Sequence, residues 1–360
     1  MSSTTKKGKL IYVVPAWSTF VGHDISILNE HYDVITNHYD WRRKILVPLY
    51  MLHQILFLLL NYRGVKAIVI SFGGYWSYCA SLFGKLFNIP VFIILNGSDA
   101  VSFPDINYGN LRKWPLRNVI KRSYQWAHML LPVSSSLVRT VNTYYSDKAI
   151  PLGYAVEFPH INTPYRVVAN GLQFSDWQRD HAIERDTRSF FTVLSPNQEL
   201  RKGIPLILQL ARRAPELKFY LGGIDGSDII DPPENVTCIG RSNVNGLREW
   251  YNRCQFYLQL SNFEGFGVAL CEAMLCECVP IGSSVNAIPE IIGETGYLLE
   301  KRDPIMLEEL VRLALAEKNL LIKGQNARQR VLENYSLKKR QKELVSLIES
   351  QNDQLYQAKK

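Results

Sequence analysis

The sequence predicts an α/β fold in which two parallel sheets are each covered by helices on both faces. Short, fully apolar runs alternate with helical stretches, and most of these runs are followed by Gly, Asn or Ser. Such runs are typical of buried parallel strands, and their alternation with helices indicates doubly wound units. The predicted strands lie at 10–14, 67–71 and 91–95 in the first half, and at 190–194, 217–221, 236–239, 256–260 and 279–281 in the second.

The length of the chain predicts two domains. A chain of 360 residues exceeds what one hydrophobic core usually fills. The stretch 176–187 is mixed in charge and poor in apolar residues, which suits a connection between domains. We therefore predict a first domain at 1–185, a second domain at 186–335 and a C-terminal helix at 336–360. A cleft that both domains face is then the expected ligand site.

The net charge of +8 lies entirely in the first half of the chain. Residues 1–185 contain 19 Lys or Arg and 11 Asp or Glu, whereas residues 186–360 contain 22 of each. An acidic partner of the first domain would explain the excess, and anionic lipid or a phosphorylated acceptor would suit it. A generally solvated basic surface is the alternative. Nucleic acid is not expected, because the sequence has no recognisable base-reading module.

The six cysteines give no sign of a metal site. They form no C-x-x-C pair, and no cluster of histidines lies near them. A zinc ion would therefore lack an evident set of ligands, and no metal is predicted. Reduced and mostly buried thiols are expected, which favours a cytoplasmic location.

Residues 45–60 form a long, strongly apolar run that begins directly after Arg42, Arg43 and Lys44. The run is shorter than the roughly 20 residues that a bilayer span requires, and it includes polar residues. We predict that it forms a buried core helix. A helix at the membrane surface is the alternative, because interfacial helices carry basic flanks of this kind.

The segment 261–274 is the most informative motif, because it follows a predicted strand and opens a predicted helix. Gly265 and Gly267 permit a tight turn and let the backbone approach a ligand closely. The N–H groups at a helix start bind diphosphates well, and Lys202 would add a cation. Glu264 and Glu272 can each accept hydrogen bonds from the hydroxyls of a different sugar ring. The structural alternative is that Glu264 only stabilises the helix dipole.

This motif resembles the retaining nucleotide-sugar glycosyltransferases of the GT-B fold, in the family 4 group. The resemblance rests on Glu264-x7-Glu272 with the Ala-Met that follows it, on 286–290 and 296–298, and more weakly on 95–99, 132–134 and 170–171. It implies two Rossmann-like domains that face a cleft. It also implies that Glu264 contacts the transferred sugar, Glu272 the ribose and Lys202 the diphosphate. The N–H groups of Gly265, Phe266, Gly267 and Val268 would bind the distal phosphate.

The sequence departs from the family pattern in both domains. Ser-Pro-Asn, ending at Asn197, replaces the Gly-Arg that the family carries ahead of Lys-Gly. We therefore assign Asn197 and Arg201 to the donor site, with Arg201 as the substitute phosphate cation. The family's His-Gly in the first domain is Asn96-Gly here, and its early Gly-Gly loop is reduced to Gly22. Gly22, Asn96 and Asp99 are the acceptor-side candidates.

The resemblance implies a retaining glycosyltransferase that moves a sugar from a nucleotide-diphosphate sugar to an acceptor hydroxyl, in cell-surface polysaccharide or lipopolysaccharide synthesis. Glu264 and Lys202 are the catalytic candidates, and the nucleotide sugar is a substrate, so no cofactor is expected. The acceptor would be a glycan or a lipid-linked molecule. The enzyme would be cytoplasmic, or peripheral on the inner face of an anionic membrane. The alternatives are a nucleotide-sugar epimerase or phosphorylase of the same fold, and a non-catalytic sugar-binding relative.

Overall fold

The computed structural model describes the backbone of residues 6–357 and the side chains of residues 6–350. The chain forms two compact units. Within the described range, the first unit contains 6–140, 151–171 and 337–357, and the second contains 141–150 and 172–336. The sequence-based division ends the first domain at Arg185, whereas the structure groups 172–185 with the second unit. Residues 1–5 and 358–360 of the predicted domains lie outside the described residues.

The first unit is a five-stranded parallel sheet with helices packed on it. Its elements are β1 (Lys9–Val14), α1 (Thr19–Asn29), β2 (Asp33–His38), α2 (Val47–Asn61), β3 (Val65–Ser71), α3 (Tyr75–Phe87), β4 (Val91–Leu95), α4 (Leu116–Trp126) and β5 (Met129–Pro132). The strand order is β2-β1-β3-β4-β5, and Ile11 of β1 lies between Ile35 of β2 and Ile68 of β3. The central strands are buried on both faces, which explains their unbroken apolar sequences.

Three short elements follow the first sheet. They are β6 (Thr140–Asn142), β7 (Ile150–Leu152) and α5 (Tyr154–Glu157), and β6 pairs with β7. Single turns of 3-10 helix lie at Lys44–Leu46, Pro104–Ile106, Asn110–Arg112, Ser135–Leu137, Phe174–Asp176 and Gly226–Asp228.

The second unit is a six-stranded parallel sheet with the strand order β10-β9-β8-β11-β12-β13. Its elements are β8 (Asp186–Val193), α6 (Ile204–Arg213), β9 (Lys218–Gly222), β10 (Val236–Cys238), α7 (Val244–Arg253), β11 (Cys254–Gln259), α8 (Val268–Leu275), β12 (Val279–Ser283), α9 (Ile288–Ile292), β13 (Tyr297–Leu299), α10 (Pro304–Leu315) and α11 (Leu320–Asn334). The Phe190 ring on β8 stacks between Phe219 and Phe256 of the two neighbouring strands, at 5.2 and 5.0 Å. This aromatic ladder fixes the register at the centre of the sheet.

The C-terminal helix α12 (Leu337–Gln357) packs against α1 and belongs to the first unit. The Arg340 guanidinium donates to both carboxylate oxygens of Asp24 at 2.5 and 2.6 Å, and both side chains are buried. Arg340 also donates to the carbonyl oxygens of Val168 and Ala169. Removing either partner would leave a buried charge unpaired, so this pair fastens α12 firmly to its unit.

Helix α2 contradicts the prediction that residues 45–60 form a core helix. Val47, Gln54 and Leu58 are its buried residues, and the side-chain nitrogen of Gln54 donates to the Asn37 side-chain oxygen at 2.9 Å. The leucines of the opposite face are exposed; Leu52, for example, is 55% exposed. Among the described residues, Lys44–Asn61 is the one helical stretch long and apolar enough to cross a membrane, and 17% of it is buried in the protein. An apolar sequence alone does not show which face of a helix is buried, and α2 leaves its leucines of the outer face exposed.

Candidate active site

The second unit offers a ligand site where its strand order reverses. The order β10-β9-β8-β11-β12-β13 is that of a dinucleotide-binding Rossmann sheet, and its connections diverge between β8 and β11. The loops that leave the carboxyl ends of these two adjacent strands cannot cover each other, so they leave a crevice. The loop after β8 carries Arg201 and Lys202, and the loop after β11 carries Glu264. The topology therefore brings together residues that lie about 60 positions apart in the sequence.

Backbone contacts hold the two loops against each other. Gly203 has a φ of +75°, and a Cβ atom there would lie 2.0 Å from the Leu260 carbonyl oxygen, so only glycine fits. The Asn262 backbone N–H donates to the Arg201 carbonyl oxygen at 2.8 Å, and its side-chain nitrogen donates to the Leu200 carbonyl oxygen at 2.6 Å. The charged side chains that follow Leu200 are thus positioned by the backbone of β11 and its loop.

The Glu264 carboxylate lies at the centre of a buried polar cluster. Its Oε2 atom accepts from Lys202 Nζ at 2.7 Å and lies 3.4 Å from a terminal nitrogen of Arg201. The same oxygen accepts from Gln259 at 3.0 Å and from the Ser261 hydroxyl at 3.3 Å. All four contacts use one carboxylate oxygen. Glu264 therefore contacts two cations and two neutral hydrogen-bond donors.

Burial and charge act in opposite directions on this cluster. Burial alone would raise the pKa of Glu264, but the charges of Lys202 and Arg201, with hydrogen bonds from Lys202 and Ser261, lower it to about 2. Burial lowers the pKa of Lys202 more than the Glu264 carboxylate raises it. Glu264 is consequently ionised at neutral pH, and Lys202 depends on an anionic neighbour to keep its proton in this buried position.

Helix α8 begins directly after Gly267 and points its first N–H groups toward the same crevice edge. Gly267 has a φ of +117°, a conformation that favours glycine, and the helix begins at Val268. Its first backbone N–H groups have no carbonyl four residues earlier to bond, and the helix dipole adds positive potential there. The buried Phe266 ring packs edge-on against Tyr335 at 5.2 Å, so Phe266 offers backbone rather than side chain to a ligand.

Glu272 lies one turn further along α8, in a different environment. Its Oε2 accepts from the Tyr251 hydroxyl at 3.2 Å. Burial raises the pKa of Glu272 to about 7, although the Tyr251 hydrogen bond lowers it and the charge of Asp176 raises it. The charge of Lys202 also lowers the pKa of Glu272. Two carboxylates eight positions apart are therefore held in opposite states, one firmly ionised and one close to half-protonated at neutral pH.

The structure brings most of the predicted donor-site residues together. Arg201, Lys202 and Glu264 are in contact, and the backbone from Gly265 to Val268 adjoins them in the same loop. Asn197 is different: it is exposed, its φ is +62°, and its backbone N–H donates to Glu199. No contact described for Asn197 reaches the charged cluster. Its assignment to the donor site remains a prediction.

Sequence reasoning missed four polar residues of the site. Gln259 and Ser261 donate to Glu264, and the Asn286 side-chain oxygen accepts from the Glu264 backbone N–H at 3.1 Å. Tyr251 donates to Glu272 from α7. The signal for Gln259 and Ser261 was present, since a Gln at the end of an otherwise apolar buried strand needs a polar partner. Nothing in the local sequence of Tyr251 indicates its partner.

The acceptor-side candidates lie in the first unit. Asn96 follows β4, and its side chain donates to the Ser71 hydroxyl and the Ile94 carbonyl oxygen. Asp99 is fully buried, and its carboxylate accepts from the backbone N–H groups of Gly73, Asn96 and Gly97 and from the Tyr124 hydroxyl. Asp99 therefore joins the loops after β3 and β4, and any effect on an acceptor is indirect. Contact of Asn96 with an acceptor remains a prediction.

Gly22 departs from the loop that the sequence suggested. It lies within α1, where its backbone N–H donates to the Ser18 carbonyl oxygen at 3.0 Å. The chain between β1 and this helix is only 15–18, so the loop is shorter than expected. Trp17 in that loop is 58% exposed, and Phe72 after β3 has a φ of +60°, which is strained for a bulky residue. Both aromatic residues lie at the carboxyl edge of the first sheet.

The sequence predicts reduced, mostly buried thiols and no metal site. All six cysteines have free thiols, and five of them are buried. Within residues 6–357, no group of three or more His, Cys, Asp or Glu side chains is arranged to hold a metal ion.

The chain resembles known glycosyltransferases in sequence. Residues 176–338 match the family model described as glycosyl transferases group 1. An N-acetyl-alpha-D-glucosaminyl L-malate synthase of Bacillus anthracis is 38% identical over 96 residues, or 26% of this chain and 24% of that protein. A lipopolysaccharide core biosynthesis mannosyltransferase of Rhizobium leguminosarum bv. viciae is 31% identical over 99 residues, 27% of this chain and 28% of that protein.

A third relative is named for its action on a sugar linked to diphosphopolyprenol. The GDP-mannose:cellobiosyl-diphosphopolyprenol alpha-mannosyltransferase of Xanthomonas oryzae pv. oryzae is 26% identical over 152 residues, 39% of this chain and 40% of that protein. The chain thus spans between about a quarter and two fifths of the length of these relatives.

Solved structures match nearly the whole chain in fold. A sucrose-phosphate synthase from Thermosynechococcus elongatus superposes with a TM-score of 0.73 at 14% identity, covering 98% of this chain and 100% of that one. HepE of Anabaena in complex with UDP-glucose gives a TM-score of 0.71 at 13% identity, covering 95% of this chain and 100% of that one. Identities this low show the fold alone.

Residues 176–338, which match the glycosyl transferases group 1 model, include nearly all of the second unit. The chain has the GT-B fold, with two Rossmann-like parallel-sheet units. The class of enzyme and the fold that the sequence motif predicted are therefore confirmed.

Proposed function

We propose that the protein transfers a sugar from a nucleoside-diphosphate sugar to an acceptor hydroxyl, with retention of configuration. The observation that carries this proposal is the contact of Lys202 and Arg201 with Glu264 directly ahead of the α8 start. Two buried cations and a helix N-terminus suit a diphosphate, and a carboxylate beside them suits the hydroxyls of the attached sugar.

In this proposal the diphosphate competes with Glu264 for the two cations. When a donor arrives, Lys202 and Arg201 turn part of their hydrogen bonding from the carboxylate to phosphate oxygens. Glu264 is then able to accept from sugar hydroxyls while Gln259 and Ser261 still hold it. The deeper Glu272 accepts from the ribose. The backbone N–H groups of Gly265 to Val268, in the loop before α8 and at its first residue, bind the distal phosphate.

The chemical step breaks the bond between the anomeric carbon and the diphosphate oxygen. Negative charge develops on that oxygen, and Lys202 with the α8 dipole stabilises it in a buried site, where such contacts are strong. The acceptor oxygen attacks the anomeric carbon from the face that the leaving group vacates, and its proton passes to the departing diphosphate. The donor is a substrate, and the step requires no further cofactor.

The acceptor and the pathway rest on the relatives. One relative is named for mannosyl transfer to a diphosphopolyprenol-linked sugar, and another for lipopolysaccharide core biosynthesis. We infer that this protein also extends a glycan or lipid-linked acceptor, in cell-surface polysaccharide or lipopolysaccharide synthesis. Its acceptor would bind the first unit near Asn96. Such acceptors reside at the inner face of an anionic membrane, where a cytoplasmic enzyme reaches them.

A donor screen tests the proposal. Unfolding would be followed by calorimetry with UDP-, GDP- and ADP-linked hexoses, because a ligand at a hundredfold its dissociation constant adds about 2.7 kcal/mol to the unfolding free energy. The Lys202→Ala variant is the matched control, and the same donor should stabilise it much less than the wild type. A donor that stabilises both proteins equally would place the site elsewhere.

Product analysis then identifies the reaction. With the stabilising donor and an acceptor extract, transfer releases the nucleoside diphosphate and labels the acceptor. Conversion of the donor to an epimeric nucleotide sugar without an acceptor would instead identify an epimerase. A sugar phosphate formed with inorganic phosphate would identify a phosphorylase.

A further inference from the structure

Helix α2 presents its apolar residues to the outside in one stripe. Ile45 in the turn before the helix and Leu49, Leu52, Leu56 and Leu59 within it are spaced by three, four or seven positions, which places them on one face. Their exposed fractions run from 44% to 90%. The buried face instead includes Gln54, which needs Asn37 as a hydrogen-bond partner. A helix that buries glutamine and exposes leucine reverses the usual partition, and such a patch marks an interaction surface.

The surface around this stripe is cationic. Residues 41–98, which include α2 and α3, contain six Lys or Arg and no Asp or Glu. Helix α3 packs beside α2, and α4, which also lacks Asp and Glu, packs beside α3. Three adjacent helices of the first unit thus carry no carboxylate. An anionic partner would meet no repulsion from side chains of these helices.

One end of the stripe is flanked by a basic cluster. It contains Arg42, Arg43 and Lys44 before α2, and Arg112 and Lys113 before α4. Asp40 pairs with Arg42 at 2.9 Å and with Arg43 at 3.4 Å, so it offsets part of this charge. Burial lowers the pKa of Lys113, and the charges of Arg112 and Lys44 lower it further, so the charges of the two segments act on each other. Both segments follow strands at the carboxyl edge of the sheet.

Trp114 follows this cluster and is 82% exposed. A tryptophan is most stable where its ring contacts apolar chains and its N–H contacts polar groups, which is the environment of a membrane interface. It therefore offers an aromatic contact beside the charged end of α2.

We propose that the α2 stripe, the basic cluster and Trp114 form one docking surface for an anionic lipid bilayer. Helix α2 lies in the plane of the interface with its leucines among the acyl chains. The basic cluster and Trp114 meet the lipid headgroups. This surface deepens the proposed function, because it names the part of the first unit that meets the membrane and turns the carboxyl edge of its sheet toward lipid-linked acceptors.

Charge and packing favour this occupant. Lipid headgroups supply the negative charge that the cluster lacks, and acyl chains cover the stripe. The Gln54–Asn37 hydrogen bond and the buried Val47 and Leu58 hold α2 on its own unit, so the helix lies along the bilayer surface and does not cross it. A second copy that docked through the same face would cover the leucines, but its own α2, α3 and α4 carry no carboxylate to match the cluster.

Vesicle flotation tests the surface. The full-length protein would be mixed with phosphatidylglycerol vesicles or phosphatidylcholine vesicles, at low salt and at 1 M salt, where screening extends only about 3 Å. We expect flotation with phosphatidylglycerol at low salt and much weaker flotation with phosphatidylcholine or at high salt. Changing Arg42, Arg43 and Lys44 to Ser should weaken partitioning about 100-fold, and Trp114→Ala about tenfold.

The apolar stripe has a matched control. Leu52→Gln with Leu56→Gln should abolish flotation, whereas Leu313→Gln with Leu321→Gln, two exposed leucines of the second unit, should leave it unchanged. Equal losses for both double variants would overturn the proposal, as would a wild-type protein that stays in solution with phosphatidylglycerol at low salt. If the wild-type protein instead sediments as a dimer, and the double variant Leu52→Gln with Leu56→Gln sediments as a monomer, then a second copy of the chain covers the stripe.

Donor binding separates this proposal from the proposed function. The surface is on the first unit, and the charged cluster around Glu264 is in the second. Flotation without donor binding would contradict the transfer reaction and leave the docking surface intact. Donor binding without flotation would contradict the docking surface and leave the transfer reaction intact.

Discussion

The crevice of the second unit and the α2 face of the first unit depart from an ordinary soluble surface in opposite ways. The crevice buries Arg201, Lys202 and Glu264, whereas α2 leaves a stripe of leucines exposed. Each arrangement costs free energy in the absence of a partner: buried charges lose hydration, and exposed leucines order or displace water. A diphosphate sugar would compensate the first and a lipid surface the second. In both regions, the arrangement that is unfavourable without a partner indicates the chemistry of that partner.

Glu264→Gln should have the largest effect, which is a loss of transfer rate. Losing one contact that acts in the transition state typically lowers the rate about a hundred to a thousandfold, so transfer should fall by that factor. The change also leaves Lys202 and Arg201 without their anionic partner, which costs about 3–5 kcal/mol of unfolding free energy for a buried pair. Rates and unfolding free energies would be measured on the purified variant. Near-normal turnover would contradict the role of Glu264.

A bound nucleoside diphosphate separates catalysis from stability in the same variant. Its phosphates would replace the missing carboxylate beside the cations, so the diphosphate should stabilise Glu264→Gln more than it stabilises the wild type. Glu264→Asp, which keeps the charge, is the matched control and should respond as the wild type does. Identical stabilisation of all three proteins would show that the diphosphate does not reach Lys202.

The next effect in size concerns Lys202→Ala. The lost charge-assisted hydrogen bond is worth about 1.5–3 kcal/mol, which corresponds to a 10- to 150-fold weaker affinity for the nucleoside diphosphate. The monophosphate, which lacks the distal phosphate, should lose much less. Titration calorimetry with both nucleotides would measure the difference, with Lys218→Ala at the exposed first residue of β9 as the control. Unchanged affinities would make Lys202 a structural lysine and leave Arg201 as the phosphate cation.

Glu272 should give a smaller, pH-dependent effect. Its pKa is raised to about 7, so near pH 6 most of it is protonated in the folded protein, and near pH 8 most of it is ionised. Ribose hydroxyls donate to the ionised form, so the affinity for a nucleoside diphosphate should rise about tenfold from pH 6 to pH 8. The sign for stability is opposite: a raised carboxyl pKa contributes stability at low pH that is lost as the pH rises through 7.

Glu272→Gln isolates this contribution from titration of the ligand itself. The variant keeps a hydrogen-bonding side chain at the same place but has no charge to gain, so its affinity should show only the dependence that the phosphates contribute. Calorimetry from pH 6 to pH 8 on both proteins gives the difference. Parallel profiles would mean that Glu272 does not touch the nucleotide.

The smallest effect tests the independence of the two regions. Leu52→Gln with Leu56→Gln should leave nucleotide affinity unchanged within error, because α2 and the Glu264 cluster belong to different units. Both leucines are about half exposed, so the unfolding free energy should change little. A loss of nucleotide affinity in this variant would show that the regions are coupled.

The sequence predicted the parts of the fold whose signals are local. Eight apolar runs became strands, because a buried parallel strand requires an unbroken apolar run. Strand β2 was missed: it lies at the sheet edge, is mostly exposed, and reads as a polar segment. The short strands β5 and β13 were missed as well. Helix α2 was assigned to the core because composition does not reveal which face a uniformly apolar helix turns outward.

In the candidate site, too, the residues with local sequence signals were predicted and the others were missed. The Glu264, Gly267 and Glu272 spacing lies within one strand–loop–helix segment, so it was legible in the sequence, and Lys202 followed from its place after β8. Gln259, Asn286 and Tyr251 act through contacts across the fold, between 5 and 22 positions from their partners, and no local pattern identifies those partners. The polar partners that tune a carboxylate are set by tertiary packing.

Titration of UDP, GDP and ADP into the wild-type protein tests the central claim most directly, namely that the crevice around Lys202 and Glu264 holds a nucleoside diphosphate. At pH 8 the account predicts one site per chain for at least one of the three nucleotides, with an affinity about 10- to 150-fold weaker in Lys202→Ala and not reduced in Glu264→Ala. Absence of binding for all three at millimolar concentration would contradict the account, as would binding that Lys202→Ala leaves unchanged.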